Sequence, residues 1–336
     1  MRHRFHLRLR ALGAAIALTS LAVVSVAGQK PAAPDVKGGG TSKRWTAPRT
    51  AWGDPDVSGV FTNRDVNGVP FERPAEFAGR EYLTDEEFAK RAAQSQAQDE
   101  EGPPPAPAAG NPGGGPSHWI DRARGKATRL TSLVVEPKDG RLPPLTEEAK
   151  RRPPEVFKRS TQPGPWDGPE DLGLYDRCIS RGLPGSMMPT IYGNSYQIVQ
   201  GQGYVGIIYE MIHETRIIPL DPRPMTSPVL TQYMGDGRGH WESDSLVVET
   251  RNFKIPYRGS NPAKTRLIER FTPVDSQTVE WRVTIDDPST WTRPWTFAVP
   301  LTKDASQPPY EYACHEGNYA MFNILRGSRE IEARKP

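Results

Sequence analysis

Three groups of side chains in the second half of the chain have the types and spacing to do chemistry. The first is Arg177-Cys178 with Tyr192, Asn194 and Tyr196. A guanidinium, two phenols and an amide can orient a ligand at the mouth of a barrel, as ligand pockets with a few polar groups do. The same residues can equally brace a turn beside a disulfide. The second group is Glu210, His213 and Arg216, joined by His240 and Glu242. Residues two apart on a strand share a face, so His240 and Glu242 can address one ligand or one proton. His213 faces away from Glu210 on an unbroken strand and meets it only if a turn intervenes. His213 and His240 are candidates for general acid/base work, with a hydrogen-bonded histidine at a strand end as the alternative. Together with His315, these make three histidines and a carboxylate, which is also zinc chemistry, but no HExxH or comparable spacing occurs, so no metal is assigned.

The third group is Trp291-Thr292-Arg293-Pro294-Trp295 with Cys314-His315-Glu316-Gly317-Asn318-Tyr319. Trp291 and Trp295 form either an aromatic wall for a ring or a plug for one barrel end. His315 and Glu316 extend the acid/base candidates, and Asn318 those that contact a ligand. A Cys314 thiolate with His315 as its base is disfavoured, because adjacent residues on a strand point to opposite faces.

These groups need a scaffold, and the hydrophobic pattern supplies one. Ser195–Gln200, Tyr204–Tyr209, Thr215–Leu220 and Arg266–Thr272 read as strands. Gly239–Glu242 and Leu246–Thr250 flank a Ser243-Asp244 turn, a hairpin signature. Thr278–Asp286 alternates most clearly, with Val279, Trp281, Val283 and Ile285 on one face. Trp295–Leu301 and Tyr310–Cys314 are further candidates. Seven to nine short strands joined by tight turns predict a mainly β fold, an antiparallel barrel or curved sandwich over about residues 175–329. Residues 44–174 are read as a wrapping region with short helices. Thr84 caps one helix, with Glu87 completing a capping box, and Thr146-Glu147-Glu148 opens another. Residues 99–116 hold six prolines and five glycines and read as a linker.

The first 27 residues read as an export signal. Arg2, Arg4, Arg8 and Arg10 precede an apolar stretch, and Ser25-Val26-Ala27 offers small residues for cleavage. Residues 28–43 are rich in Gly, Pro and Lys and read as disordered. The formal charge of +3 then misleads. Removing four arginines from 43 basic side chains leaves 39 against 40 acidic ones, a balance without a nucleic-acid footprint. Membrane contact is expected only through the signal. Two cysteines in an exported chain read most simply as a Cys178–Cys314 disulfide, with two separate thiols as the alternative. No Walker loop or GxSxG elbow occurs, and no cofactor is expected.

Three stretches carry a resemblance: Gly239–Thr250, Asp287–Trp295 and Tyr312–Tyr319. They look like those of a large group of exported bacterial proteins to which no activity is attached. The resemblance covers roughly residues 128–329. It implies export and a coherent fold, and it implies no reaction. Gly239-His240-Trp241 followed by a meander also resembles, more distantly, lipocalin and other calycin barrels. There the Gly-x-Trp lies near the mature N-terminus, which is not its place here. The leading expectation is an exported binding protein for an amphipathic, lipid or aromatic small molecule. The alternatives are a lyase, isomerase or hydrolase acting on a ring or glycoside by His/Glu catalysis, and a non-catalytic envelope interaction module.

Overall fold

The computed structural model describes residues 45–100, 121, 128–153 and 166–334, with backbone alone at 98–100. The expected signal, the segment after it expected to be disordered, and most of the expected 99–116 linker lie outside the described residues. Ten strands form: β1 Gly59–Thr62, β2 Val134–Glu136, β3 Ser195–Gly201, β4 Tyr204–Tyr209, β5 Thr215–Pro219, β6 Asp236–Glu242, β7 Ser245–Arg251, β8 Arg266–Pro273, β9 Thr278–Asp286 and β10 Trp295–Lys303. Nine run in the order β5-β4-β3-β1-β10-β9-β8-β7-β6, and β2 joins β10 from the side. The result is a nearly closed antiparallel barrel, the mainly β architecture expected.

All eight neighbouring pairs along that path are antiparallel. An odd number of alternating strands leaves the two end strands, β5 and β6, running the same way. They lie side by side, but no ladder joins them. Glycines let the seam close. A Cβ on Gly239 would come within 2.9 Å of Ile218 and 2.7 Å of Leu220, and one on Gly237 within 2.9 Å of Arg216. Side chains of β5 therefore settle onto a bare stretch of β6.

Strict alternation in β8 and β9 points Leu267, Glu269, Phe271, Val279, Trp281, Val283 and Ile285 inward. Trp281, Trp295, Tyr196, Tyr209, Phe61, Phe271 and Phe297 are among the largest fully buried side chains. Trp281 meets Phe297 edge-on at 5.4 Å, and Trp295 meets Phe71 edge-on at 5.9 Å. The interior is packed with aromatic rings where a lipocalin-type barrel would hold its ligand.

The N-terminal half does more than wrap. β1 sits between β3 and β10 and completes the wall, so the barrel is not confined to residues 175–329. β10 is buried along most of its length: β2 pairs with its edge at Thr296 and Phe297, and Leu130, Val135 and Val69 pack with Ala298. Helix α1 (Asp85–Glu100) begins with the expected capping box. The Glu87 amide donates to Thr84 Oγ1 at 3.2 Å, and the Thr84 amide donates to Glu87 Oε2 at 2.9 Å. Helix α2 (Glu147–Arg151) is capped by Thr146.

Two expectations need correction. Tyr310–Cys314 is not a strand; two prolines precede it and a turn follows at Cys314–Gly317. Ala320–Ala333 is a helix, α3, where none was expected. The run Gly201-Gln202-Gly203-Tyr204-Val205-Gly206 has the spacing of a dinucleotide-binding loop but turns a β3–β4 hairpin, without the helix that such a loop requires.

Candidate functional site

The Cys178–Cys314 disulfide forms, with its Cα atoms 5.7 Å apart. It brings the first and third groups of candidate residues to one place. Neither cysteine is then a free thiol, so nucleophilic chemistry at Cys314 is removed. Beside the bridge lies a cleft of about 320 Å³ lined by Arg177, Ile179, His315, Asn318 and Met321, among others. Ile179 and Arg177 come from the turn around Cys178, His315 and Asn318 from the turn after Cys314, and Met321 from the first turn of α3. Asn318 is held in place. Its side-chain amide lies 3.4 Å from Cys178 Sγ, and its Oδ1 accepts from the Ala320 amide at 3.0 Å. Arg177 has only a 3.9 Å ion pair with Glu170 and donates no side-chain hydrogen bond to any described residue. His315 and Glu316 are exposed.

A tyrosine cluster flanks the bridge. The Tyr175 and Tyr192 hydroxyls are 2.8 Å apart, and Tyr312 lies 3.3 Å and 3.4 Å from them. The rings of Tyr192 and Tyr312 stack with centroids 6.4 Å apart, and Arg181 lies 5.7 Å from the Tyr175 ring centroid. Partial burial, reinforced by the Tyr192 hydrogen bond, pushes the Tyr175 phenol up to about 12. Burial drives Tyr312 higher still, with both neighbouring hydroxyls adding to it. Sequence reasoning found Tyr192 but missed Tyr175 and Tyr312. Their places three residues before Cys178 and two before Cys314 were the available signal.

The remaining candidates are placed differently. Asn194 is fully buried and holds Asp121, donating through its backbone at 3.1 Å and its side chain at 3.0 Å. Tyr196 is inside the barrel, accepting from Asn63 at 3.0 Å. Glu210 caps the start of β3 by accepting from the Ser195 amide at 3.0 Å, and burial raises its pKa. Trp291 and Trp295 pack edge-on at 5.4 Å in the core, so they plug the barrel and present no aromatic wall.

Arg216 also points inward and is the centre of a buried network. Its Nη1 donates to Glu269 Oε2 at 2.6 Å and its Nη2 to Thr250 Oγ1 at 2.6 Å. Trp281 Nε1 donates to the other Glu269 oxygen at 3.1 Å. Both Glu269 oxygens and both terminal nitrogens of Arg216 are thus engaged, as a buried pair requires, while Arg216 Nε has no hydrogen-bond partner among the described residues.

The imidazoles do not converge. His240 and Glu242 share the outer face of β6 as expected, with Nε2 3.0 Å from Oε1. Glu242 also binds Arg270 at 2.6 Å, which with His240 lowers its pKa. This is an exposed charge ladder on the outer face of the sheet. His213 lies in the turn Met211–His213 between β4 and β5, where Ile212 and His213 take positive φ. That turn does separate His213 from an unbroken strand, but His213 ends exposed. Along the seam Arg216 is level with Gly237 and Ile218 with Gly239, so His213 and His240 lie toward opposite ends. No group of three or more His, Cys, Asp or Glu among the described residues could hold a metal.

No protein-family model matches the chain, and no curated protein matches it. Among solved structures, the chain is similar to a secretary abundant heat soluble (SAHS) protein from Ramazzottius varieornatus. The match has 13% identity, covers 39% of this chain and 86% of that chain, and has a TM-score of 0.24. At that score the overlap carries no argument for function.

Proposed function

We propose that this is an exported binding protein for an amphipathic small molecule with an acidic head, held in the cleft beside the disulfide and not inside the barrel. One observation carries the reading. Arg177 and His315 line a cleft with apolar Ile179 and Met321, and neither donates a side-chain hydrogen bond within the described protein. A guanidinium presents a planar fork of donors suited to a carboxylate. Asn318, fixed against the disulfide, adds a neighbouring polar group. The chemistry is that of ligand sites with apolar walls and a few placed polar groups.

The disulfide is consistent with an oxidising compartment, and the expected signal segment supports the periplasm or the exterior. No helix among the described residues is long and apolar enough to cross a membrane. The acid/base enzyme reading needed imidazoles meeting a carboxylate in one pocket, and His213, His240 and His315 are found on separate elements.

The test uses 1-naphthoate as an aromatic carboxylate and 1-naphthalenemethanol as its neutral counterpart, titrated by calorimetry. Naphthoate should bind, the alcohol should bind at least tenfold more weakly, and Arg177→Met should remove the difference. If naphthoate gives no heat, and laurate and naphthoate both leave the melting temperature unmoved, the reading fails.

A further inference from the structure

A second cleft of about 340 Å³ opens where β1 and β10 end side by side, and it shares no residue with the disulfide cleft. Every side chain lining it is polar. Its floor holds Arg64, whose side chain is only 6% exposed. Arg64 Nε lies 3.5 Å from Asp121 Oδ1 without forming a hydrogen bond, and the guanidinium donates none to any described residue. An ionised group this deeply buried is costly unless its donors are matched. Across the cleft, Lys303 has no ion pair among the described residues, and its amine lies 6.0 Å from the Phe61 ring centroid.

The remaining lining groups narrow the ligand. Asp65 accepts from the Thr302 hydroxyl at 2.6 Å, and Asp304 accepts from Ser306. The carboxylates of buried Asp65 and half-buried Asp304 disfavour a doubly charged anion more than a singly charged one. The Gln307 side-chain amide donates no hydrogen bond to a described residue, although its backbone oxygen accepts from Ser195. That leaves open donors for one carboxylate, with hydroxyl-binding groups beside them.

We propose that this cleft binds a small hydroxylated carboxylate of the sugar-acid type, its carboxylate on Arg64 and Lys303 and its hydroxyls on Asp304 and Gln307. The site goes beyond the disulfide cleft and stands or falls separately from it.

The experiment titrates the full chain with D-gluconate, with D-sorbitol, which replaces the carboxylate by CH2OH, and with inorganic phosphate. Gluconate should bind, with sorbitol and phosphate at least tenfold weaker. Lys303→Met should weaken gluconate at least tenfold without moving the melting temperature. Arg64→Lys, which keeps the charge and loses the fork, should weaken it similarly. Arg177→Met should change nothing, because it lies in the other cleft. The proposal is overturned by the absence of gluconate binding, by equal binding of sorbitol or phosphate, by unchanged affinity in Lys303→Met, or by loss of gluconate binding in Arg177→Met.

Discussion

Arg216 and Arg177 are both guanidiniums that the sequence offers as ligand anchors, and they occupy opposite circumstances. Arg216 is inside the barrel, with Glu269 and Thr250 answering its terminal nitrogens at 2.6 Å. Arg177 is at the rim, with Glu170 at 3.9 Å and no donated side-chain hydrogen bond among the described residues. The inner one is matched by its own fold and braces the packed layer of Trp281 and Tyr209. The outer one keeps its donors for something else. In this barrel the polar groups left for a ligand lie at the strand ends, because the space inside is filled.

The largest expected effect falls on the rim. Reducing the Cys178–Cys314 bridge, or replacing both cysteines by serine, opens a loop with a sequence separation of 136. Loop-closure entropy puts the loss at about 4–5 kcal/mol, read from denaturant unfolding. Naphthoate binding should disappear with it while gluconate binding survives. If naphthoate still binds, the cleft does not depend on the clasp.

Next comes the interior. Glu269→Gln leaves Arg216 buried without its counter-ion and should cost about 3–5 kcal/mol. The double variant Arg216→Met with Glu269→Leu should recover most of that, because apolar replacements of a buried pair are often neutral. A double variant as unstable as the single would mean that the pair does more than brace the core.

A smaller effect belongs to the tyrosines. Tyr175 is held protonated up to about 12, against roughly 10 for a free phenol. A group whose folded pKa is raised adds stability that is full below the unfolded value and is lost as pH rises through the folded one. The protein should therefore lose stability between about pH 10 and 12. Absorbance at 295 nm should show late tyrosine ionisation, earlier in Tyr192→Phe. The smallest effect is at the outer ladder. His240→Ala should change stability by no more than about 0.5 kcal/mol and leave both titrations unaltered. A lost binding heat there would reopen a role for the β6 face.

Strand identity was legible because the buried faces follow a period of two. Thr278–Asp286 appears with the bounds that alternation predicts, and Tyr204–Tyr209 with those of a strand nearly apolar on both faces. The disulfide was legible from the cysteine count together with the expected export signal. What alternation could not show was which wall a four-residue strand would complete, so β1 was assigned to the wrapping region. Helix α3 carries apolar residues at Met321, Ile324 and Leu325, a helical spacing, but Gly327 interrupts it and the strands before it invited a β reading. The candidate site was half legible. Arg177, Tyr192, His315 and Asn318 came from local chemistry, whereas Arg64 and Lys303 become neighbours only through the β1–β10 pairing. Side-chain type alone cannot distinguish Arg216 from Arg177, since the deciding fact is which acceptors the fold brings to each.

The parity of the barrel has a mechanical consequence. Eight of its nine joints are hydrogen-bonded ladders, and the ninth, between β5 and β6, is held by side chains over glycines. Amides along that line have no cross-strand carbonyl to protect them, so deuterium should enter there before it enters β8 or β9. Under load, too, the cylinder should split along that line first. Arg216, bonded from β5 across to β7 and β8, is the bolt that keeps the split shut.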